Sequence, residues 1–334
     1  MRKHRPVDIP GNAEWGGISS NFDSISIEKQ VVAVEHECWT YGNQEDLILH
    51  LPFLLICNLL FSLSDTVLPV SRCKCGRTNS ALRIVGGNQV EPNEYPWQVA
   101  LFRNNETSPF CGGSIISDTW VLTAAHCLVS VRPENLEVVI GEHDWSTSEE
   151  TNITRRIKAK YIVWHEGFSS RKPLQHDIGL VELDESLDFP EDNSVAPVCL
   201  PRPHLGYPKA NALVVGWGAT EDKFGGPSKV LRFANVKTMT NEACQALVAL
   251  LGGVTPNTIC AGHLFSGETA CHGDSGGPLL AEGEGCGGKC LTNIGIVSWG
   301  AFCKIGALPT VYTRTNRYLG WINMFIKRSN TCQV

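Results

Sequence analysis

The stretch TACHGDSGGPLL, residues 269–280, wraps a single hydroxyl, Ser275, in glycine, sets Asp274 beside it and places Pro278 three residues on. Gly273 before the serine and Gly276 after it let the backbone turn tightly enough to aim N–H groups at one spot, with Gly273 and Ser275 as the donors. Taken alone, Gly-Asp-Ser-Gly-Gly also reads as an ordinary turn. A serine hydroxyl attacks near neutral pH only when a base takes its proton, another group orients that base, and donors receive the oxyanion that forms. The remaining parts must therefore lie elsewhere. TAAHC, residues 123–127, puts His126 directly before Cys127 after a β-like run, and HDIGLVEL, residues 176–183, puts Asp177 at the head of an apolar stretch. A lone histidine is more often a satisfied surface or core residue than a catalyst. Three such segments in the order His, Asp, Ser weigh differently.

Around this constellation the chain has the texture of a β protein. Short runs such as WQVALF, SIISDTWVLTAAHC, EVVIGEHDW, ALVVGWG and NIGIVSWG are broken by Gly, Pro and Asn at close intervals, the pattern of an all-β sandwich or barrel. Two helices are expected: one over residues 241–251 with Cys244, Leu247 and Leu251 on one face, and a terminal one carrying Leu319, Ile322, Phe325 and Ile326. The 334 residues carry 28 basic and 34 acidic side chains, a net charge of -6, and no Lys/Arg-rich run, which argues against nucleic acid as a partner. Fourteen scattered cysteines without paired zinc-ligand spacing point to disulfides and an oxidising compartment. Two Asn-x-Thr acceptors, at Asn105 and Asn152, agree with secretion and glycosylation.

Residues 1–46 are polar and acid-rich. The apolar run LILHLPFLLICNLLFSLS, residues 47–64, reads as a signal-peptide core. It is shorter than the roughly 20 apolar residues of a spanning helix and carries His50, Pro52 and Asn58, and its flanking charges run against an anchor with a cytoplasmic N-terminus. A membrane-anchored protein tethered through this run is the alternative. A signal peptide begins near a methionine, and none occurs between Met1 and Met239. Residues 1–46 are therefore expected to be disordered or to come from a mis-joined upstream exon.

The order and contexts of His126, Asp177 and Ser275 resemble the chymotrypsin-like serine proteases of the trypsin fold, and the resemblance runs over residues 75–328. It implies two six-stranded antiparallel Greek-key barrels with a C-terminal helix over residues 84–329, a propiece over 65–83 and a tail at 330–334. It implies a serine endopeptidase in which Ser275 attacks the scissile carbonyl, His126 shuttles the proton, Asp177 holds the imidazole, and Gly273 and Ser275 form the oxyanion hole. RIVGG, residues 83–87, is similar to the family's activation site: cleavage after Arg83 frees Ile84, whose ammonium turns inward to Asp274. Ser298, Trp299 and Gly300 match the strand that pairs with substrate, Ser298 lying near Asp177.

The same resemblance pairs Cys75 with Cys199, Cys111 with Cys127, Cys244 with Cys260 and Cys271 with Cys303, the first tethering the propiece after activation. One family bridge is missing, both its positions holding alanine, Ala212 and Ala281. Cys286 with Cys290, and Cys73 with Cys332, are weaker suggestions, and Cys38 and Cys57 have no assigned partner. Trypsin-like members carry an aspartate six residues before the serine. Here Thr269 stands there, followed by Ala270, and a neutral hydroxyl leaves a buried guanidinium uncompensated. Thr310, where most members have glycine, shortens the pocket, Phe302 narrows its far wall and Gly300 leaves its entrance open. Small or medium apolar side chains are the expected specificity, with Leu, Phe or Tyr as the alternative if Thr310 turns aside. Such an enzyme needs a separate trypsin-like protease to cleave after Arg83. Its other expected partners are protein or peptide substrates and protein inhibitors, and it is expected to be a monomer. No cofactor is expected. Glu142 and Glu149 fall near calcium-ligand positions, against which stand Asn152, where a carboxylate is usual, and the competing reading of a solvated acidic loop. A catalytically silent homologue acting as a binding partner is the alternative of a different class.

Overall fold

The computed structural model describes residues 75–79, 89–147, 152–171, 173–219, 226–263, 270, 273–283, 290–300 and 308–326, all within Cys73–Val334. Arg83, Ile84, Thr269, Phe302, Glu149, the Cys271–Cys303 pair, Cys38, Cys57, Cys73, Cys286, Cys332 and the segments 1–46, 47–64 and 330–334 lie outside the described residues.

Twelve strands among the described residues close into two barrels. In the first, β1 (Gln98–Arg103), β2 (Cys111–Ile115), β3 (Trp120–Thr123), β4 (Leu136–Ile140), β5 (Arg155–Trp164) and β6 (Gly179–Leu183) follow the order β1-β2-β3-β6-β5-β4. In the second, β7 (Asn211–Gly216), β8 (Arg232–Met239), β9 (Thr258–Ala261), β10 (Pro278–Gly283), β11 (Cys290–Trp299) and β12 (Thr310–Arg314) follow β7-β8-β9-β12-β11-β10. Every neighbouring pair is antiparallel. Closure leaves no open edge for another chain to extend.

The sequence pattern explains which faces point inward. β1 (QVALFR) is buried on both faces over its first five residues, with Val99 opposite Ile140 and Leu101 opposite Val138. β5 (RRIKAKYIVW) alternates, burying Ile157 and Ala159 and exposing Arg156 and Lys160. Those two cations reach across to carboxylates on neighbouring strands, Arg156 to Glu137 at 3.1 Å and Lys160 to Glu182 at 2.7 Å. Exposed pairs of this kind contribute about 1 kcal/mol or less, so the apolar interior carries the stability. That interior is built on Trp97, Leu101, Phe102, Ile115 and Leu122 in the first barrel, and on Val214, Val236, Ile259, Leu279 and Tyr312 in the second.

Among the described residues three short helices accompany the strands: α1 (Ala125–Leu128), α2 (Asn241–Val248) and α3 (Leu319–Ile326). The Thr240 hydroxyl caps α2 by accepting from Ala243 N–H at 3.3 Å. The helix expected over residues 241–251 ends earlier, at Val248, and continues as a 3-10 turn, Ala249–Leu251. Its inner face carries Cys244 and Val248, with the half-buried Leu247 packed against the same cluster, and Cys244 is bonded to Cys260 on β9. α3 buries Trp321, Ile322 and Ile326, and Phe325 lies 5.9 Å from Trp120 of the first barrel. No helix among the described residues is long and apolar enough to cross a membrane.

Disulfides join Cys75 to Cys199, Cys111 to Cys127 and Cys244 to Cys260. Cys290 is also bonded, to a partner outside the described residues, and packs beside the Cys75–Cys199 bridge. Ala212 on β7 and Ala281 on β10 stand directly opposite each other.

Candidate active site

The site forms where the two barrels meet. β3 ends at Thr123, Ala124 follows, and the single turn of α1 starts at once, which carries His126 out of the first barrel with its side chain 28% exposed. The Cys111–Cys127 bridge bolts this turn to β2. The Cys127 sulfur lies 3.7 Å from His126 Nε2, and being bonded to Cys111 it offers no thiolate to a metal.

Asp177 comes from the segment entering β6 and is buried, its side chain 1% exposed. A buried carboxylate must find donors, and Asp177 has three from side chains and backbone. Its Oδ1 accepts from His126 N–H at 2.9 Å, its Oδ2 faces His126 Nδ1 at 2.8 Å, and the Ser298 hydroxyl donates to the same Oδ2. Its backbone carbonyl accepts from the Thr313 hydroxyl at 2.7 Å. Two elements of the second barrel, β11 and β12, thus hold a residue of the first. With Nδ1 committed to the carboxylate, Nε2 is the nitrogen left to exchange a proton.

Ser275 is half-buried on a turn just before β10. Its carbonyl accepts from Gly112 N–H at 2.8 Å, Gly276 N–H donates to Val297 O at 2.9 Å, and Gly277 N–H returns to Asp274 O at 2.9 Å. Gly273 and Gly276 have φ of 104° and 79°, the left-handed region that favours glycine. A Cβ at Gly276 would strike the Thr123 hydroxyl and lie 2.6 Å from Gly112 O and 3.3 Å from Ala124 N. The glycine after the serine therefore packs against the residue two before His126. Thr123 in turn donates to Gly112 O at 2.8 Å, closing the junction.

Asp274 is buried, and its Oδ1 accepts from Gly218 N–H at 2.7 Å. A Cβ at either Gly216 or Gly218 would collide with its carboxylate. The GWG of residues 216–218 is thus a cradle for that charge. Tyr312 lies nearby, fully buried, and burial together with the Asp274 carboxylate holds its phenol above the usual tyrosine range.

Of the residues expected to line the substrate pocket, Ala270, Ser298 and Thr310 are buried, Trp299 is half-buried and Gly300 exposed. The Thr310 hydroxyl is 3.5 Å from Ala270 O and would be 3.3 Å from a Cβ at Gly300. Thr310 therefore occupies the space between the start of β12 and the end of β11. Asn105 and Asn152 are both exposed. Glu142, expected on a solvated loop, is instead buried and accepts from His143 N–H at 3.0 Å. It is buried because the loop after β4 tucks toward the second barrel, His143 O accepting from Leu231 N–H and from the Trp217 indole.

Sequence reasoning did not single out Thr313, Thr123 or Gly112. Each is an ordinary strand residue whose role appears only when a distant segment arrives. His176 was visible as the neighbour of Asp177, but its ring contacts were not.

Comparison with known proteins agrees with this geometry. The family model Trypsin matches residues 84–322. The chain is 35% identical over 242 residues to coagulation factor IX of Cavia porcellus, covering 72% of this chain and 80% of that one. It is 34% identical over 263 residues to the hepatocyte growth factor activator serine proteases of Canis lupus familiaris, and 35% over 258 residues to venom serine protease 34 of Apis mellifera. Those matches cover 76% and 75% of this chain but only 39% and 60% of the relatives' own length. Two closed six-stranded barrels, a seryl turn at their junction and a match over most of the chain lead to one assignment: the chain belongs to the trypsin family.

Proposed function

We propose that the chain is a secreted serine endopeptidase made as a zymogen, activated by cleavage after Arg83, which cuts after small or medium apolar residues. The observation that carries the catalytic part is the double contact between Asp177 and His126, made where Gly276 packs against Ala124. In this reading Ser275 Oγ attacks the scissile carbonyl while His126 Nε2 takes its proton. Asp177 stabilises the imidazolium without itself being protonated, and the N–H groups of Gly273 and Ser275 receive the oxyanion. The proton then passes to the leaving amine, and water releases the acyl-enzyme by the same steps.

Activation is read from RIVGG and from the cradle around Asp274. An ammonium freed at Ile84 would join Gly218 N–H at that buried carboxylate, and ordering it would order the turn that aims Gly273 and Ser275. The Cys75–Cys199 bridge would keep the propiece attached after cleavage. The specificity rests on Thr310 and Thr269: a buried guanidinium without a counter-charge costs several kcal/mol, and Thr310 takes up depth that a long side chain needs. A chain that avoids arginine depends on a trypsin-like protease for its own activation. Protein substrates and protein inhibitors are the partners this implies. Glycans on the exposed Asn105 and Asn152 agree with export. No step is assigned to calcium.

The test is a profile of the residue before the scissile bond. The full chain, secreted from cultured cells, is cleaved after Arg83 with a trace of trypsin, freed of it, and assayed on a peptide library. Preference for Ala, Val or Leu is expected. Preference for Arg overturns the specificity, and absence of turnover together with no phosphonate labelling of Ser275 overturns the catalytic reading.

A further inference from the structure

Two imidazoles face each other beside Asp177. The rings of His165 and His176 stack 4.5 Å apart with 9° between their planes. Tyr318 of the turn entering α3 stands edge-on to both, at 5.4 Å and 5.8 Å, with its hydroxyl 3.1 Å from His176 Nδ1. Trp321 closes the side, tilted, 5.5 Å from His165. The backbone here is tied to the rings. Gly167 N–H donates to His165 Nδ1 at 3.0 Å and Phe168 N–H to His165 O at 2.9 Å. Two further bonds bracket the aspartate: His165 N–H to Ile178 O at 3.1 Å, and Ile178 N–H to His176 O at 2.8 Å. His176 itself is held at φ 52°, a conformation that persists only where surrounding contacts impose it.

A ring nitrogen that accepts a hydrogen bond cannot carry a proton. His165 Nδ1 accepts from Gly167 N–H, so the ring is neutral with its proton on Nε2. Protonation would set two N–H donors against each other and lay a cation face-on against a second imidazole. The backbone has little room to yield, because a Cβ at Gly167 would lie 3.0 Å from His176 Cδ2 and 3.2 Å from His165 Nδ1. The ionisable groups facing the pair are few. Glu166 Oε2 is 3.9 Å from His165 Nδ1 on a side chain 80% exposed, where water screens the attraction. The Tyr318 phenol stays neutral, raised by burial and by Asp177. Asp177 itself is turned toward His126 and Ser298. Burial, reinforced by His176 and opposed by Glu166, keeps His165 below the ordinary histidine range.

We infer that His165 and His176 are positioning residues, a paired-imidazole brace that holds the Asp177 segment while both rings are neutral and releases it when the pair takes up a proton. The inference rests on Asp177 acting as the orienting carboxylate of the catalytic triad. It predicts an acid limb of kcat/KM steeper than the single proton of His126 can give.

The test uses the full chain, activated at Arg83, with kcat/KM for its best peptide measured from about pH 4.5 to about 8, the range in which imidazoles titrate. Log kcat/KM against pH is expected to approach a slope of about two on the acid side, where one titrating base gives about one. His176→Asn keeps a polar group facing Tyr318 but takes up no proton, and is expected to bring the slope back to about one, as is His165→Asn. A slope of about one in the unmodified enzyme, or a steep limb retained in both variants, overturns the brace. Should neither variant fold, histidine-labelled NMR of the unmodified enzyme decides. His165 and His176 must titrate across the interval in which activity falls, and titration elsewhere overturns the inference. Failure of the triad reading is distinguishable, since Ser275 would then resist the phosphonate even near pH 8.

Discussion

The Ser298 hydroxyl and the Asp177 carboxylate meet through Oδ2, the oxygen that also faces His126 Nδ1 at 2.8 Å. A strand of the second barrel therefore sets the aim of a carboxylate carried by the first. A hydrogen bond to a charged group contributes about 1.5–3 kcal/mol, so Ser298→Ala should lower kcat/KM by roughly 10- to 100-fold. The loss should fall mainly on kcat, measured by steady-state kinetics on a short peptide. An unchanged kcat would mean that the two contacts with His126 suffice.

Gly218→Ala should disable the enzyme from a distance. Its methyl would collide with the carboxylate of Asp274, buried and close-packed against residues 216–218. Overpacking of this kind costs about 1–3 kcal/mol. In a domain of this size that corresponds to a fall in Tm of roughly 2–4 °C per kcal/mol, with activity falling further because Ser275 adjoins Asp274. Gly320→Ala is the control: nothing lies within 4 Å of its added Cβ, and an alanine in α3 should leave Tm unchanged or slightly raised. Differential scanning calorimetry of both variants separates the two expectations.

Ala212 and Ala281 offer a place for a further inter-segment bridge. They are directly paired on adjacent antiparallel strands, both buried. Cα atoms in such pairs are about 4.5–5.5 Å apart, within the range that a disulfide spans. The double variant Ala212→Cys, Ala281→Cys should oxidise spontaneously during secretion and add about 2–4 kcal/mol. Mass spectrometry under non-reducing conditions and a denaturant melt check both points; free thiols at these positions would contradict the register.

Stability should fall on mild acidification. Burial lowers the His165 pKa in the folded protein, so below the ordinary histidine value of about 6.5 the unfolded chain binds the proton that the folded chain refuses. The contribution of His165 is therefore present above that value and lost as pH falls toward the lowered one. His165→Asn should flatten this part of the curve in urea melts taken across the same interval, and a curve unchanged by the substitution would count against a neutral, half-buried ring.

Much of the site could be read without coordinates, and the reason is local. Gly273 and Gly276 need left-handed backbone wherever they fall, and a serine between them stands on a tight turn in any context. The strand runs were equally legible, since period-two burial in RRIKAKYIVW is a property of consecutive residues. The end of α2 was less legible, since the helix tightens to a 3-10 turn after Val248, and the partner of its Cys244, Cys260, stands on a separate strand. Glu142 was misplaced for a similar reason. Its burial depends on a loop docking against Leu231 and Trp217, far along the chain.

The sequence by itself determined the order His126, Asp177, Ser275, the glycines that permit the seryl turn, the cysteines and the alternation of the strands. Each of these is written in residue type or short-range spacing. Only the tertiary structure decided that Thr313 from one barrel holds Asp177 from the other, that Gly216 and Gly218 cradle Asp274, and that His165 stacks on His176 beside the aspartate. Hydrogen bonds and close packing act over a few ångströms, and the residues they join here are separated by up to 136 positions, so no local pattern could encode them.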